Sequence, residues 1–187
     1  MRIIKKILLV LAILFVSIAA IGFIFFPSHI HVERSIVINQ KQDVLFNYMN
    51  NLTNWNSWSP WYELDPTAKY VYAGPASGIG ATLSWESDNK DVGKGQMKIT
   101  ESKPDSLIRE DLNFMESGTA QSYYRLAPKD DSTKVTWGFD VEAGANPLFR
   151  IMGGFMDGMI GKDFDKGLAK LKGIAESMQP TDTIPVE

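Results

Sequence analysis

Apolar residues take up three different spacings in turn along this chain. From 7 to 26 they form an unbroken run of 20 residues with no charge and a single hydroxyl, Ser17. From 31 to 142 they come in short alternating stretches separated by turns rich in Gly, Pro, Asn and Asp. That is the pattern of half-buried strands in an antiparallel meander. From 147 to 178 they recur every three to four residues, as on the buried face of a helix.

The first strand is predicted over 31–38 (HVERSIVI). Asn39 is placed to cap a short helix carrying Val44, Leu45, Tyr48 and Met49 on one side, and Asn50-Asn51 interrupts it. Residues 52–58 form a second short helix or turn, and Ser59-Pro60 and Asp65-Pro66 mark a loop. Strands follow at 69–72, 81–86, 92–100, 106–114, 119–126 and 133–142. In the last, Val135, Trp137, Phe139 and Val141 face one way and Lys134, Thr136, Asp140 and Glu142 the other. Ile108, Leu112 and Phe114 share their parity with Glu110, and Ala120, Ser122, Tyr124 and Leu126 form a further set.

In the terminal helix, Leu148, Ile151, Met152, Phe155, Met156, Met159 and Ile160 crowd the first half. Phe164, Leu168, Leu171, Ala175 and Met178 make a cleaner stripe in the second. Gly153, Gly154, Gly158 and Gly161 lie in the first half, and each costs a helix about 1 kcal/mol relative to Ala. A break or kink is therefore expected near 158–161. Residues 180–187, with Pro180 and Pro185, read as a disordered tail.

The apolar run is long enough as a helix, at about 1.5 Å per residue, to cross a hydrocarbon core of about 30 Å. Arg2, Lys5 and Lys6 precede it and Pro27 ends it. The positive-inside rule then keeps the N-terminus in the cytoplasm and puts the rest of the chain in the periplasm or outside the cell. Ser17-Ile18-Ala19 offers small residues at the spacing of a signal-peptide cleavage site, but the apolar run continues through Phe26. An uncleaved single-pass anchor over 1–27 is the favoured reading, followed by one domain over 28–179.

Composition narrows the function. Cysteine is absent and His29 and His31 are the only histidines, which excludes thiol catalysis and Cys-ligated zinc and disfavours His-based catalysis. The net charge is −3, and beyond residue 26 the chain holds 16 basic against 22 acidic residues. That balance argues against nucleic acid as a partner and against charge-driven binding to an anionic membrane.

The element order is strand, two short helices, about six strands and a long helix. Local text accompanies it: Val44-Leu45-Phe46-Asn47-Tyr48-Met49, Trp55-Asn56-Ser57-Trp58-Ser59-Pro60-Trp61, Gly78-Ile79-Gly80-Ala81, Val92-Gly93-Lys94-Gly95, Thr133-Lys134-Val135-Thr136-Trp137 and Lys162-Asp163-Phe164-Asp165-Lys166-Gly167-Leu168. Together they resemble the START-like, or SRPBCC, superfamily. Within it the chain is most similar, over about 31–178, to bacterial polyketide cyclase/dehydrase-like lipid-transport proteins with an N-terminal membrane helix. The resemblance implies an α+β helix-grip fold, a curved antiparallel sheet wrapped around a long C-terminal helix with a cavity between them. That family shares a cavity and no common set of catalytic residues.

In such a fold, Trp85, Phe114, Tyr124, Trp137, Phe139, Met152, Phe155, Met156 and Met159 are candidates to line the cavity. Methionine suits an adaptable apolar pocket, and the same side chains suit plain core filling. Trp55, Trp58 and Trp61, with Tyr62 beside them, read either as a lid or bilayer contact or as an anchor for the short helix. Glu110 has the parity to point inward, where burial would raise its pKa, and Arg109 beside it does not. Glu86, Asp140 and Glu142 fall on the opposite face and read as solvated. Arg150 is a further polar candidate with an ordinary surface reading. His29 and His31 read as linker residues, a poor metal site without a carboxylate cluster nearby. Gly78, Gly80, Gly93 and Gly95 read as hairpin glycines, since no helix follows them as in a phosphate-binding loop.

No metal, no cofactor and no catalytic residue is assigned. Three functions stay open: a membrane-anchored binder of a lipid or other hydrophobic small molecule, a cyclase/dehydratase-like enzyme, and a protein-interaction module without a small ligand. A large open cavity without convergent polar groups favours the first. A buried, pKa-shifted carboxylate in the cavity favours the second, and a filled cavity the third.

Overall fold

The first strand of the sheet closes onto the last. The computed structural model describes residues 2–115 and 118–178. Helix α1 (Arg2–Phe25) precedes β1 (His29–Ile38), which pairs antiparallel with β7 (Ser132–Glu142). Between them run α2 (Gln42–Met49), a 3-10 turn (Leu52–Asn54), α3 (Trp55–Trp58) and α4 (Pro60–Leu64). The strands β2 (Lys69–Ala73), β3 (Thr82–Glu86), β4 (Lys94–Lys103), β5 (Leu107–Asn113) and β6 (Thr119–Lys129) follow, and α5 (Pro147–Ser177) comes after β7. The seven strands lie in the order β1-β7-β6-β5-β4-β3-β2 and every neighbouring pair is antiparallel. This is the expected α+β helix-grip fold, with α2–α4 carrying the chain from one sheet edge to the other.

Alternation puts the core on the sheet face that meets α5. Val135, Trp137, Leu126, Tyr124, Ile108, Ile99 and Leu83 are buried there, against Phe164, Leu168, Leu171 and Ala175. The Trp137 and Phe164 rings stack at 4.0 Å and 7°.

Several local expectations are corrected. Strand β1 starts at His29, so the two histidines belong to the sheet rather than to a linker. Lys41, not Asn39, stands at the N-cap of α2, while the Asn39 N–H donates to the Glu176 carboxylate at 2.7 Å. Pro60 opens α4 instead of marking a loop, in keeping with its fixed φ at a first helical position. Strand β4 continues past residue 100 because a bulge there resets the register between Ile99 and Glu101, which ends the alternation visible in sequence.

The expected break in α5 does not occur; the helix runs unbroken from Pro147 to Ser177. Asn146 starts it by accepting the Leu148 and Phe149 N–H groups, both at 3.1 Å. Two of its glycines serve contact rather than flexibility. A Cβ at Gly153 would collide with Ile30, and one at Gly161 with the Arg34 guanidinium, so both let α5 lie close on β1. Arg34 then reaches Asp157 at 2.7 Å. The tail expected at 180–187 lies outside the described residues.

Helix α1 keeps its apolar side chains exposed, and only Gly22 is buried. It is one helix long and apolar enough to cross a membrane. Its end meets the start of α5: Gly22 lies against Pro147, the Phe26 ring against Gly154, and Arg150 4.8 Å over the Phe23 ring.

Candidate functional site

A cavity of about 430 Å³ lies between the sheet and α5. Sheet residues Trp85, Phe114, Tyr124, Trp137 and Phe139 line it, with Met156 from α5. These six are among the nine lining candidates. The other three, Met152, Phe155 and Met159, point to solvent at 60%, 63% and 67% exposure. They sit about 40° to 100° around the helix from Met156, all to the same side, on a face that the sheet does not cover.

Local sequence fixes each aromatic. Trp85 lies opposite Gly95 in the β3–β4 register and its indole covers that glycine, where a Cβ would collide with the ring. Its Nε1 donates to the Val92 carbonyl at 3.1 Å. Trp137 Nε1 donates to Ser122 Oγ at 3.1 Å, and Ser122 donates to the Gly138 carbonyl at 3.2 Å. The exposed Lys90, Asp91 and Lys94, at the junction of β3 and β4, form part of the rim.

The tryptophans of α3 and α4 anchor that segment. Trp58 is fully buried, with its ring 5.4 Å from Trp137 and 5.7 Å from Tyr124. Trp55 packs edge-on to Trp58 at 4.5 Å and to Trp137 at 5.6 Å. Trp61 lies edge-on to Trp137 and Phe164 at 5.9 and 6.4 Å. Trp55 and Trp61 nevertheless also present surface to the cavity, whereas Trp58 does not. Tyr62 turns aside, to Tyr70.

Among the described residues, Glu110 is the one carboxylate on the cavity wall besides rim Asp91. It stands between Ile99 and Ser122 in the sheet and is fully buried. Loss of hydration pushes its pKa up from 4.5 to about 7, and the nearby Tyr124 hydroxyl offsets part of that rise. Burial likewise holds the Tyr124 phenol well above its ordinary value, so it stays protonated. Glu110 Oε1 and Tyr124 Oη have no hydrogen-bond partner among the described residues. The site therefore combines an apolar wall with two neighbouring polar groups buried within it.

The remaining polar candidates are on the surface. Arg109 pairs with Glu101 at 2.9 Å, and Glu86 with Lys94. Arg150 donates to the Gly144 carbonyl at 2.9 Å. Asp140 and Glu142 are on the outer face but not merely solvated: they face His31 and His29 across the β1–β7 pair. The premise that the histidines lack a carboxylate cluster is thus overturned.

The family model described as polyketide cyclase / dehydrase and lipid transport matches residues 29–176. The chain belongs to that family. Among solved structures of similar fold, the di-domain ARO/CYC StfQ from the steffimycin biosynthetic pathway gives a TM-score of 0.61 at 11% identity, covering 79% of this chain and 51% of that one. The Aha1 dimer from Colwellia psychrerythraea gives 0.55 at 14% identity, covering 79% and 97%. The protein SA2116 from Staphylococcus aureus gives 0.59 at 10% identity, covering 80% and 94%. At such identities the likeness is one of fold. The chain spans about half the length of StfQ. No curated protein matches it.

Sequence reasoning missed Met97, Leu112, Ala120 and Ser122 as family-cavity lining, along with Phe149, Ile160 and Phe164. Parity could have found three of the first four, because Leu112 follows Glu110 by two and Ala120 and Ser122 precede Tyr124 by four and two. Phe149, Met156 and Ile160 lie seven and four apart, one face of a helix.

Proposed function

We propose that this protein is a membrane-anchored binding domain for a lipid or other apolar small molecule. The guest sits in the cavity with one hydrogen-bonding group against Glu110 and Tyr124. The observation that carries the reading is the cavity itself: its volume falls in the range of small-molecule pockets, about 300–1,000 Å³, and its wall is mostly aromatic and aliphatic. A protein-interaction module would have no use for such a space. Family membership agrees with this reading.

Anchoring rests on α1. Fifteen of the residues at 7–26 are Leu, Ile, Val or Phe, worth about −5 to −9 kcal/mol in membrane insertion. Arg2, Lys5 and Lys6 orient its start to the cytoplasm, which puts the domain over 28–179 on the far side. Leu148, Met152, Phe155 and Met159 form an exposed stripe beside the end of α1, and this stripe rests on the bilayer surface. Phe149, Met156 and Ile160 of the same helix segment line the cavity, so the guest enters from the bilayer side.

The test is photocrosslinking of the full chain in lipid nanodiscs with a diazirine-bearing fatty acid. Labelling of the β5–β6 peptide that holds Glu110 and Tyr124 is expected. Met156→Trp should reduce it at least tenfold while α1 stays labelled. Absence of β5–β6 labelling in the wild type would refute the reading.

A second reading has its own observation. A carboxyl with a pKa of about 7 beside a protonated phenol is suited to move a proton near neutral pH. In that case Glu110 is the acid–base group of a cyclase- or dehydratase-like reaction on the bound guest. Glu110→Gln separates the two, because it leaves an apolar guest bound and abolishes any conversion of it.

A further inference from the structure

The outer face of the sheet carries a second constellation, remote in kind from the cavity. His29 and His31 are two apart on β1, so both imidazoles leave the same face. The antiparallel register sets Glu142 opposite His29 and Asp140 opposite His31. Facing residues on paired strands have Cβ atoms about 4.5–5.5 Å apart. A two-by-two patch of ligand-type side chains results.

Within the patch both rings turn one nitrogen to a single oxygen. His31 Nδ1 lies 2.7 Å and His29 Nε2 3.1 Å from Asp140 Oδ1. The ligand atoms of these three residues all lie within 4.8 Å of one another. A tetrahedral ion with bonds of about 2.0–2.1 Å holds its ligand atoms about 3.3 Å apart, so seating one asks only for small side-chain movements.

The other nitrogen of each ring also faces a carboxylate. His29 Nδ1 is 2.8 Å from Glu142 Oε1, and His31 Nε2 is 3.9 Å from Glu33 Oε2. Tyr123 donates its hydroxyl to the same Glu33 oxygen. Metal-bound histidines typically have such a carboxylate on the far nitrogen, where it fixes the tautomer and raises basicity. An ordinary surface ion pair needs no such second partner on each ring. At His29 that partner is within hydrogen-bond distance, and at His31 the Glu33 carboxylate faces the ring from just beyond it.

We infer that His29, His31 and Asp140 form a binding site for a divalent first-row transition-metal cation of the zinc type, with Glu142 and Glu33 as outer partners of the two imidazoles. Two nitrogens and one carboxylate oxygen suit zinc, nickel or copper better than magnesium or calcium, and leave at least one coordination position open. His29, Asp140 and Glu142 also border a polar depression of about 550 Å³ that includes Lys98, Asp111 and Gln121, which provides space for a water or anionic ligand on the ion. The ion would tie β1 to β7 immediately after Ser28, whose carbonyl accepts the Ala143 N–H at 2.7 Å. That is the point where α1 joins the sheet.

The test uses the untagged full chain in detergent micelles. Zn2+ is titrated against a chromophoric chelator, and the two histidine ring resonances are followed by NMR, which is direct because the chain has only two. The expected result is one Zn2+ per chain, with both histidine resonances shifted. Asp140→Ala and His31→Ala should weaken binding at least tenfold, Glu142→Gln about tenfold, and Glu86→Gln not at all. Zn2+ should also raise the Tm of the wild type and leave that of Asp140→Ala unchanged. Failure of the wild type to bind Zn2+ at micromolar concentration, or resonances that do not move on Zn2+ addition, would overturn the inference. So would Asp140→Ala binding as tightly as wild type.

Discussion

Leu168 and Leu171 in the second half of α5 are 1% and 0% exposed, whereas Met152 and Phe155 in the first half are 60% and 63% exposed. Both halves are rich in large apolar residues at helical spacing, and the helix is continuous through both. The difference is in what covers them. The second half lies in the grip of the sheet, with Phe164 stacked on Trp137 and Gly167 beneath the same indole. The first half has β1 beneath it, reached through Gly153 and Gly161, and the end of α1 at its start. It closes the cavity with one face and leaves the next one bare. An apolar stripe thus shows which side of a helix avoids water, and the neighbouring elements decide what meets it.

The largest effects should come from the gripped half. Leu171→Ala is expected to lower the stability of the full chain by about 2–5 kcal/mol, the cost of a cavity in a closed core. Met152→Ala should stay within about 0.5 kcal/mol. Urea denaturation in detergent measures both, and equal losses would break the contrast.

The cavity between the halves gives the next effect. Glu110 binds its proton more tightly when folded, so its contribution is fully present below pH 4.5 and is lost as the pH rises to about 7. Stability should fall by up to about 3 kcal/mol across that interval. Glu110→Gln should flatten this fall and be the more stable form at pH 8. A wild-type profile that rises between pH 4.5 and 7 for this residue's share would place the carboxylate in a solvated or ion-paired setting.

The smallest energetic effect carries the sharpest positional information. The chain has no cysteine, so Phe155→Cys and Gly173→Cys each take a single spin label. In nanodiscs, the label at 155 should collide with lipid-soluble oxygen and the label at 173 with a water-soluble relaxant. The same water exposure at both sites would remove the bilayer from the first half of α5.

How much of this was legible in the sequence depended on the range of the signal. Period-two alternation placed β7 and the inward parity of Glu110, because both are local. The three-residue spacing of Trp55, Trp58 and Trp61 left lid and anchor undecided; the ring contacts with Trp137 and Tyr124 make the group an anchor with two members also on the cavity. Met152, Phe155 and Met159 were read into the cavity because periodicity carries no information about the partner surface. The histidine–carboxylate patch was out of reach because its halves lie 109 and 113 residues apart and meet only through the β1–β7 register.

The central claim is that the cavity holds an apolar guest. Native mass spectrometry on the full chain, released from its own membrane in detergent-free polymer particles and followed by extraction and identification of what it carries, tests this most directly. The account predicts one apolar molecule of defined mass per chain, absent from Met156→Trp. A wild-type chain that carries no molecule beyond the lipids also found with Met156→Trp would contradict it.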